Sequence, residues 1–161
     1  MNMFGDNATS RNVNFFTLLL GVLVVSNAYL YLPAWGGDPE IHIIFAKNLL
    51  AGHPLSFNAG EQTSGETSPA YMIIVAVLVG ALGPGHAAVA MKVIGGLSSL
   101  ITAHQIFLHL RWRGVDRSIS TFVSLCFLAY PFVLFQGLLG MENMLFTLAV
   151  VFFCGCSSKI V

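Results

Sequence analysis

The sequence predicts an all-α fold: a polytopic transmembrane helix bundle with about five spans and an amphipathic surface helix in the first large loop. Three observations carry that expectation. Of 161 residues, 56% are hydrophobic and only 9% are charged, where soluble domains carry about a quarter. Five uncharged runs, Asn12 to Gly37, Thr67 to Gly85, Val93 to Leu110, Ser118 to Met141 and Asn143 to Ser158, approach the length that crosses a hydrocarbon core. Four of the seven carboxylates lie in one segment, residues 36–68, between the first two runs.

Backbone buried in a bilayer must satisfy its own hydrogen bonds, so the runs are expected to be helices; the strict alternation of barrel strands is absent. The helices are expected near Val13–Pro33, Pro69–Leu82, His86–Leu110, Ser118–Leu138 and Met144–Cys156. The first has a long apolar core, Phe15 to Leu32, and no small-residue cleavage site before the polar segment, so it reads as a retained span rather than a signal peptide. Residues 1–161 read as a single transmembrane domain. Because "CGCSSKIV" follows the fifth run directly, that domain is expected to be the N-terminal fragment of a larger module.

A formal net charge of zero and the lack of interleaved basic and aromatic residues argue against a nucleic-acid partner; membrane lipid is the expected surrounding. Cys126, Cys154 and Cys156 all sit in apolar runs, and Cys-Gly-Cys lacks the second ligand pair of a zinc site, so they read as small core-filling residues.

The acidic segment opens with "GDPEIHIIFAKNLLAG", which carries helix punctuation: Asp38 as N-cap, Pro39 at the first helical position, Glu40 in the first turn and Gly52 as terminator. Ile41, Ile44, Phe45 and Leu49 form an apolar face, and Glu40 and Lys47, seven residues apart, fall within about 20° on the wheel. This helix is expected to lie along the membrane surface. "HPLSFNAGEQTSGE" then reads as a turn-rich loop, and "TSP" restarts helix with Thr67 or Ser68 as cap before Pro69.

A carboxylate cluster at a membrane boundary fits three roles. Asp38 is placed to deprotonate an acceptor hydroxyl while a lipid-anchored donor presents its reacting carbon from the bilayer. Asp38 and Glu40 also offer hard oxygen ligands to a divalent cation, although their spacing matches no dedicated calcium loop. Alternatively, Asp38 only caps the helix and Glu40 only complements its dipole. Glu61 and Glu66 are candidate substrate-binding residues or solvated loop carboxylates. His42 can orient a carboxylate or shuttle a proton, yet no nucleophile constellation surrounds it, and an exposed helix histidine is the simpler reading. Lys47 can meet a donor phosphate or snorkel to lipid headgroups. Lys92 and Glu142 interrupt apolar sequence, either as functional groups at membrane depth or as markers of helix ends.

The run from Asp38 to Pro69, with "FAKNLLAG", "FNAGE" and "TSP" in order, resembles the first large loop of GT-C class, polyprenyl-phosphate-sugar-dependent membrane glycosyltransferases. "GMEN", Gly140 to Asn143, is similar to a Gly-Met-Glu-Thr element that opens a later helix in these relatives, which are several times longer. The resemblance implies transfer of a sugar from a polyprenyl-phosphate-linked donor to a glycan, lipid or protein acceptor outside the cell's inner membrane. Asp38 matches the general base, with Glu40 as its partner; His42, Lys47, Glu61, Glu66 and Glu142 are the candidate substrate-binding residues. The chain departs from the pattern in having Gly37 where relatives often carry a second aspartate, and Ile44 where an arginine is common.

Five full spans would put the acidic loop and "RWRGVDR" on one side, whereas the positive-inside rule assigns Arg111, Arg113 and Arg117 to the cytoplasm. An incomplete second or third crossing removes the conflict and brings Glu142 to the acidic side. Two other functions remain open: part of a transporter, from Lys92, Glu142 and the adjacent glycines Gly95 and Gly96, or a noncatalytic membrane subunit.

Overall fold

The computed structural model describes residues 38–157 except Ser64, together with Leu18, Gly21, Val22, Val25, Ser26, Tyr29 and Leu30, each helical. Most of the expected first span, Val13–Pro33, lies outside the described residues, as do the side chains of Asp38 and Cys156. Among the described residues the chain forms six continuous helices and no strand: α1 (Asp38–Leu50), α2 (Pro69–Leu82), α3 (Pro84–Trp112), α4 (Arg117–Ala129), α5 (Pro131–Leu139) and α6 (Asn143–Ser157).

The all-helical expectation holds, but five spans are not supported. Among the described residues only α3, with 29 residues, is long and apolar enough to cross a membrane, while α2 and α6 are apolar but shorter. The fourth run, expected as one helix over Ser118–Leu138, is broken between α4 and α5 with a bend of 59°. Pro131 is the cause. It has no N–H to donate, and it drives Tyr130 into extended backbone, φ −65° and ψ 119°.

Proline and glycine set the other boundaries. Pro69 and Pro84 each stand at a helix start, where a missing N–H costs nothing. α1 ends in a paired cap, with Gly52 N–H on the Leu49 carbonyl and His53 N–H on the Asn48 carbonyl. Gly52 adopts φ +86°, a conformation that costs glycine little.

α3 is the column against which α2, α4, α5 and α6 pack, and α1 lies on α2. The apolar core joins Ala46 of α1, Tyr71, Val75, Ala76 and Val79 of α2, and Ala87 and Met91 of α3. Farther along α3 the buried residues are small or hydroxylic: Gly95, Ser98, Ser99, Thr102 and Ala103. α4 buries only Ser120 and Ser124, while Ile119, Phe122 and Val123 point outward. These buried hydroxyls bond back to carbonyls four residues earlier, as Thr102 does to Ser98 at 2.7 Å and Ser124 to Ser120 at 2.9 Å. Small residues thus face inward on α3 and α4, and large apolar ones face outward.

Gly95 and Gly96 do not interrupt α3. Gly95 instead lets α5 approach: a Cβ there would stand 2.2 Å from the Gly137 carbonyl oxygen, and one on Gly137 would stand 2.5 Å from Ser99 Oγ. α1 packs on α2 and buries His42, Phe45 and Ala46, leaving Ile41 and Ile44 half-buried. Cys126 and Cys154 are not core-filling either, since both are exposed.

Gly95→Ala is expected to lower stability by about 1–3 kcal/mol, because the new methyl meets backbone that cannot turn away. Gly96→Ala meets only Leu138 Cδ2 at 3.7 Å and is expected to be neutral or stabilising by up to about 1 kcal/mol. Unfolding of both variants in detergent micelles checks the pair.

Candidate functional site

His42 lies one turn after Asp38 on α1, its ring edge against Tyr71 of α2 with centroids 5.1 Å apart. It is 3% exposed, not the surface histidine that its sequence suggests. Its Nδ1 stands 3.0 and 3.2 Å from the two oxygens of Glu66, whose side chain is fully buried. Two acceptors at that distance would repel, so Nδ1 carries a proton and donates it. On the other side of the ring, Nε2 faces Glu142 Oε2 at 3.3 Å. That oxygen is buried and makes no aligned hydrogen bond among the described residues.

Three separate pieces of sequence therefore meet on one imidazole. α1 brings His42, the end of the loop brings Glu66, and the turn between α5 and α6 brings Glu142. Ser68 completes the cluster. Its N–H donates to Glu66 Oε1 at 2.9 Å, and its hydroxyl donates to Glu142 Oε1 at 2.5 Å. As the residue before Pro69, Ser68 holds the N-cap position, yet its side chain makes no capping bond because it is committed to Glu142.

The local folding explains how Glu142 arrives there. Gly140 ends α5 in the left-handed region, φ 86° and ψ 29°, and sits against Met91 and Lys92 of α3. A side chain there would strain the backbone and press on Met91 Cβ at 3.3 Å. The Tyr71 hydroxyl donates to the Gly140 carbonyl at 2.9 Å and fixes the turn to α2. Partial burial pushes the Glu142 carboxyl upward, but the Ser68 hydroxyl, its own backbone N–H and His42 outweigh it and hold the group below the usual carboxylate range.

The loop itself is anchored to α1. Asn48 Nδ2 donates to the carbonyls of Ser56 and Phe57 at 2.8 and 2.7 Å, and Phe57 packs edge-on against Phe45. Thr63 N–H bonds the Leu55 carbonyl beside a single bridge between Ser56 and Gln62. The segment read as turn-rich loop is thus a small hairpin-like fold that delivers Glu66 to His42.

The structure gathers some of the sequence-predicted residues and leaves others apart. His42, Glu66 and Glu142 meet, joined by Ser68 and Tyr71, which sequence reasoning used only as a cap and a span residue. Glu40 and Lys47 line a separate shallow groove of about 420 Å³ between α1 and the start of α3. Glu61 is exposed and takes a hydrogen bond from Asn58 at 3.2 Å, away from the cluster. Lys92 is buried in α3 beside Gly140. Among the described residues no three His, Cys, Asp or Glu side chains converge to hold a metal ion, because the two nitrogens of His42 face different carboxylates.

Chemically, a carboxylate–imidazole–carboxylate row can hold and relay a proton, with Glu66 fixing the ring and Glu142 facing the second nitrogen. Two openings flank it. One, of about 140 Å³, is lined by Ile41, His42, Gly65, Thr67 and Met141; the other, of about 260 Å³, lies between α2 and α6 and reaches Ser68, Tyr71 and Glu142. Comparison with family models, with curated proteins and with solved structures finds no match.

His42→Ala leaves the buried Glu66 without its ring partner, and a loss of about 3 kcal/mol is expected. Glu66→Gln in the same chain should recover part of it, because a neutral amide replaces the stranded charge; chemical denaturation of the single and double variants measures this. Glu142 adds a pH dependence. A carboxyl held below its ordinary range contributes stability that is complete above the unfolded value and lost as pH falls through the folded one. The melting temperature should therefore drop on acidification through the carboxylate range, with a shallower drop in Glu142→Gln.

Proposed function

We propose that this chain is the N-terminal part of a membrane glycosyltransferase of the GT-C class. The enzyme transfers a sugar from a polyprenyl-phosphate donor to an acceptor on the extracytoplasmic side of the cell's inner membrane. Asp38 takes the proton of the acceptor hydroxyl as its oxygen attacks the anomeric carbon, and polyprenyl phosphate leaves with the bonding pair. One observation carries the reading. Two stretches that resemble the family at separate places in the sequence, "TSP" and "GMEN", touch through Ser68 and Glu142, 74 residues apart. Glu142 faces His42, one turn from Asp38 on α1, and Ser68 donates its N–H to Glu66, the other partner of that ring.

Membrane placement is supported by the length of α3 and by the outward apolar faces of α3 and α4. The charge conflict also eases. Gly140 packs beside Lys92, and Arg111 lies 19 residues farther along the same helix, about 30 Å at 1.5 Å per residue. That is about one hydrocarbon thickness. On this reading the carboxylate cluster is extracytoplasmic and the Arg111–Arg117 segment cytoplasmic, as the positive-inside rule prefers. The transporter alternative loses one of its supports, because α3 passes through Gly95 and Gly96 unbroken.

The test is transfer from a polyprenyl-phosphate-linked sugar by the protein in its native membrane. Asp38→Asn should reduce the rate by about 10²–10⁴-fold at unchanged expression. Wild-type activity in that variant would remove Asp38 as the base.

A further inference from the structure

The opening between α2 and α6 differs in character from the cluster behind it. Its walls are apolar, with Ile74, Leu145 and Phe146 among them, and Ile74 and Phe146 keep part of their surface exposed. Its inner end is polar and is made of Ser68, Tyr71 and Glu142.

The hydrogen-bonding state of that end is specific. The Ser68 proton is committed to Glu142 Oε1, and the Tyr71 proton to the Gly140 carbonyl. Pro69 has no N–H, and the carboxylate of Glu142 only accepts. The side chains at this end therefore present acceptors and no free donor, and no cation is among the residues that line the cleft. The start of α2 would ordinarily favour an anion. Here Glu142 is already that anion, bonded at the N-cap residue.

We propose that the α2–α6 cleft binds a membrane-dissolved alcohol: a lipid whose chain lies along Ile74, Leu145 and Phe146 and whose hydroxyl donates to the Ser68–Glu142 pair. A phosphate head brings negative charge and only further acceptors. An ammonium finds three acceptors there, Ser68 Oγ, Tyr71 Oη and Glu142 Oε1, but must give up its hydration to apolar walls. A hydroxyl brings no charge to desolvate and needs only one of them. Calling this lipid the acceptor rests on the transferase reading, and it narrows the acceptor from glycan, lipid or protein to a lipid alcohol. The binding itself does not depend on that reading.

The test uses three photoreactive probes with the same long alkyl chain, ending in a hydroxyl, a phosphate monoester or an amine, and the whole protein in phosphatidylcholine nanodiscs. The alcohol is expected to label the cleft-lining positions Ile74, Leu145 and Phe146 above the outward-facing Val77. Ile74→Trp, which fills the cleft from its rim, should cut that labelling about tenfold. Glu142→Gln should weaken the alcohol and strengthen the phosphate. Labelling by the phosphate or the amine equal to that by the alcohol would overturn the proposal, as would even labelling of cleft and outer faces or no effect of Ile74→Trp. Sugar transfer is measured on the same samples. Alcohol labelling with no transfer to any acceptor supports the site and counts against the transferase reading, whereas transfer with an empty cleft counts against the site alone.

Discussion

Two glycine backbones, Gly95 on α3 and Gly137 on α5, pass so closely that neither position has room for a methyl group. The arrangement of the candidate site depends on that crossing. It seats α5 against the central helix and lowers the α5–α6 turn onto Met91 and Lys92, and Gly140 then turns the chain so that Glu142 arrives beneath His42. Tyr71 and Ser68 bond the turn from the α2 side at 2.9 and 2.5 Å. A displacement of α5 by one methyl radius would act on Glu142 directly, because only two residues separate it from the end of that helix.

The cluster thus assembled is at once polar, buried and mutually satisfied. His42 stands between two carboxylates, one fully buried and one 22% exposed, and the backbone N–H and hydroxyl of Ser68 supply donors to both. Such groups are costly to bury singly, so each depends on the others for its place. The single exception is Glu142 Oε2, which faces Nε2 without an aligned bond. An unfilled oxygen next to an imidazole is where a proton in transit would reside. The core beside the cluster is apolar, joining Ala46 of α1, Tyr71 and Val75 of α2, and Ala87 and Met91 of α3.

Much of the fold was legible in the sequence because its signals are local. Pro69, Pro84 and Gly52 mark helix ends through their own backbone geometry, and the observed limits of α2 agree with the expected ones. Pro131 carried the same kind of signal, and reading the fourth run by hydropathy alone overlooked it. The number of crossings was less legible, since an apolar run records only its preference for a nonpolar surrounding. Whether 14 residues of α2 cross a bilayer or pack beside a longer helix depends on neighbours.

By itself, the sequence determined that the chain would be helical and apolar, that four of its seven carboxylates fall in one segment, and that His42, Glu66 and Glu142 were among the residues to watch. Tertiary structure alone decided that those three form one unit, that Ser68 serves Glu142 rather than its own helix, and that Glu61 stands apart. The physical reason is range. Helix ends are written in a few adjacent residues, whereas the partner of a buried carboxylate is fixed by which helices can approach, here through two glycines that have no side chain to reveal their role.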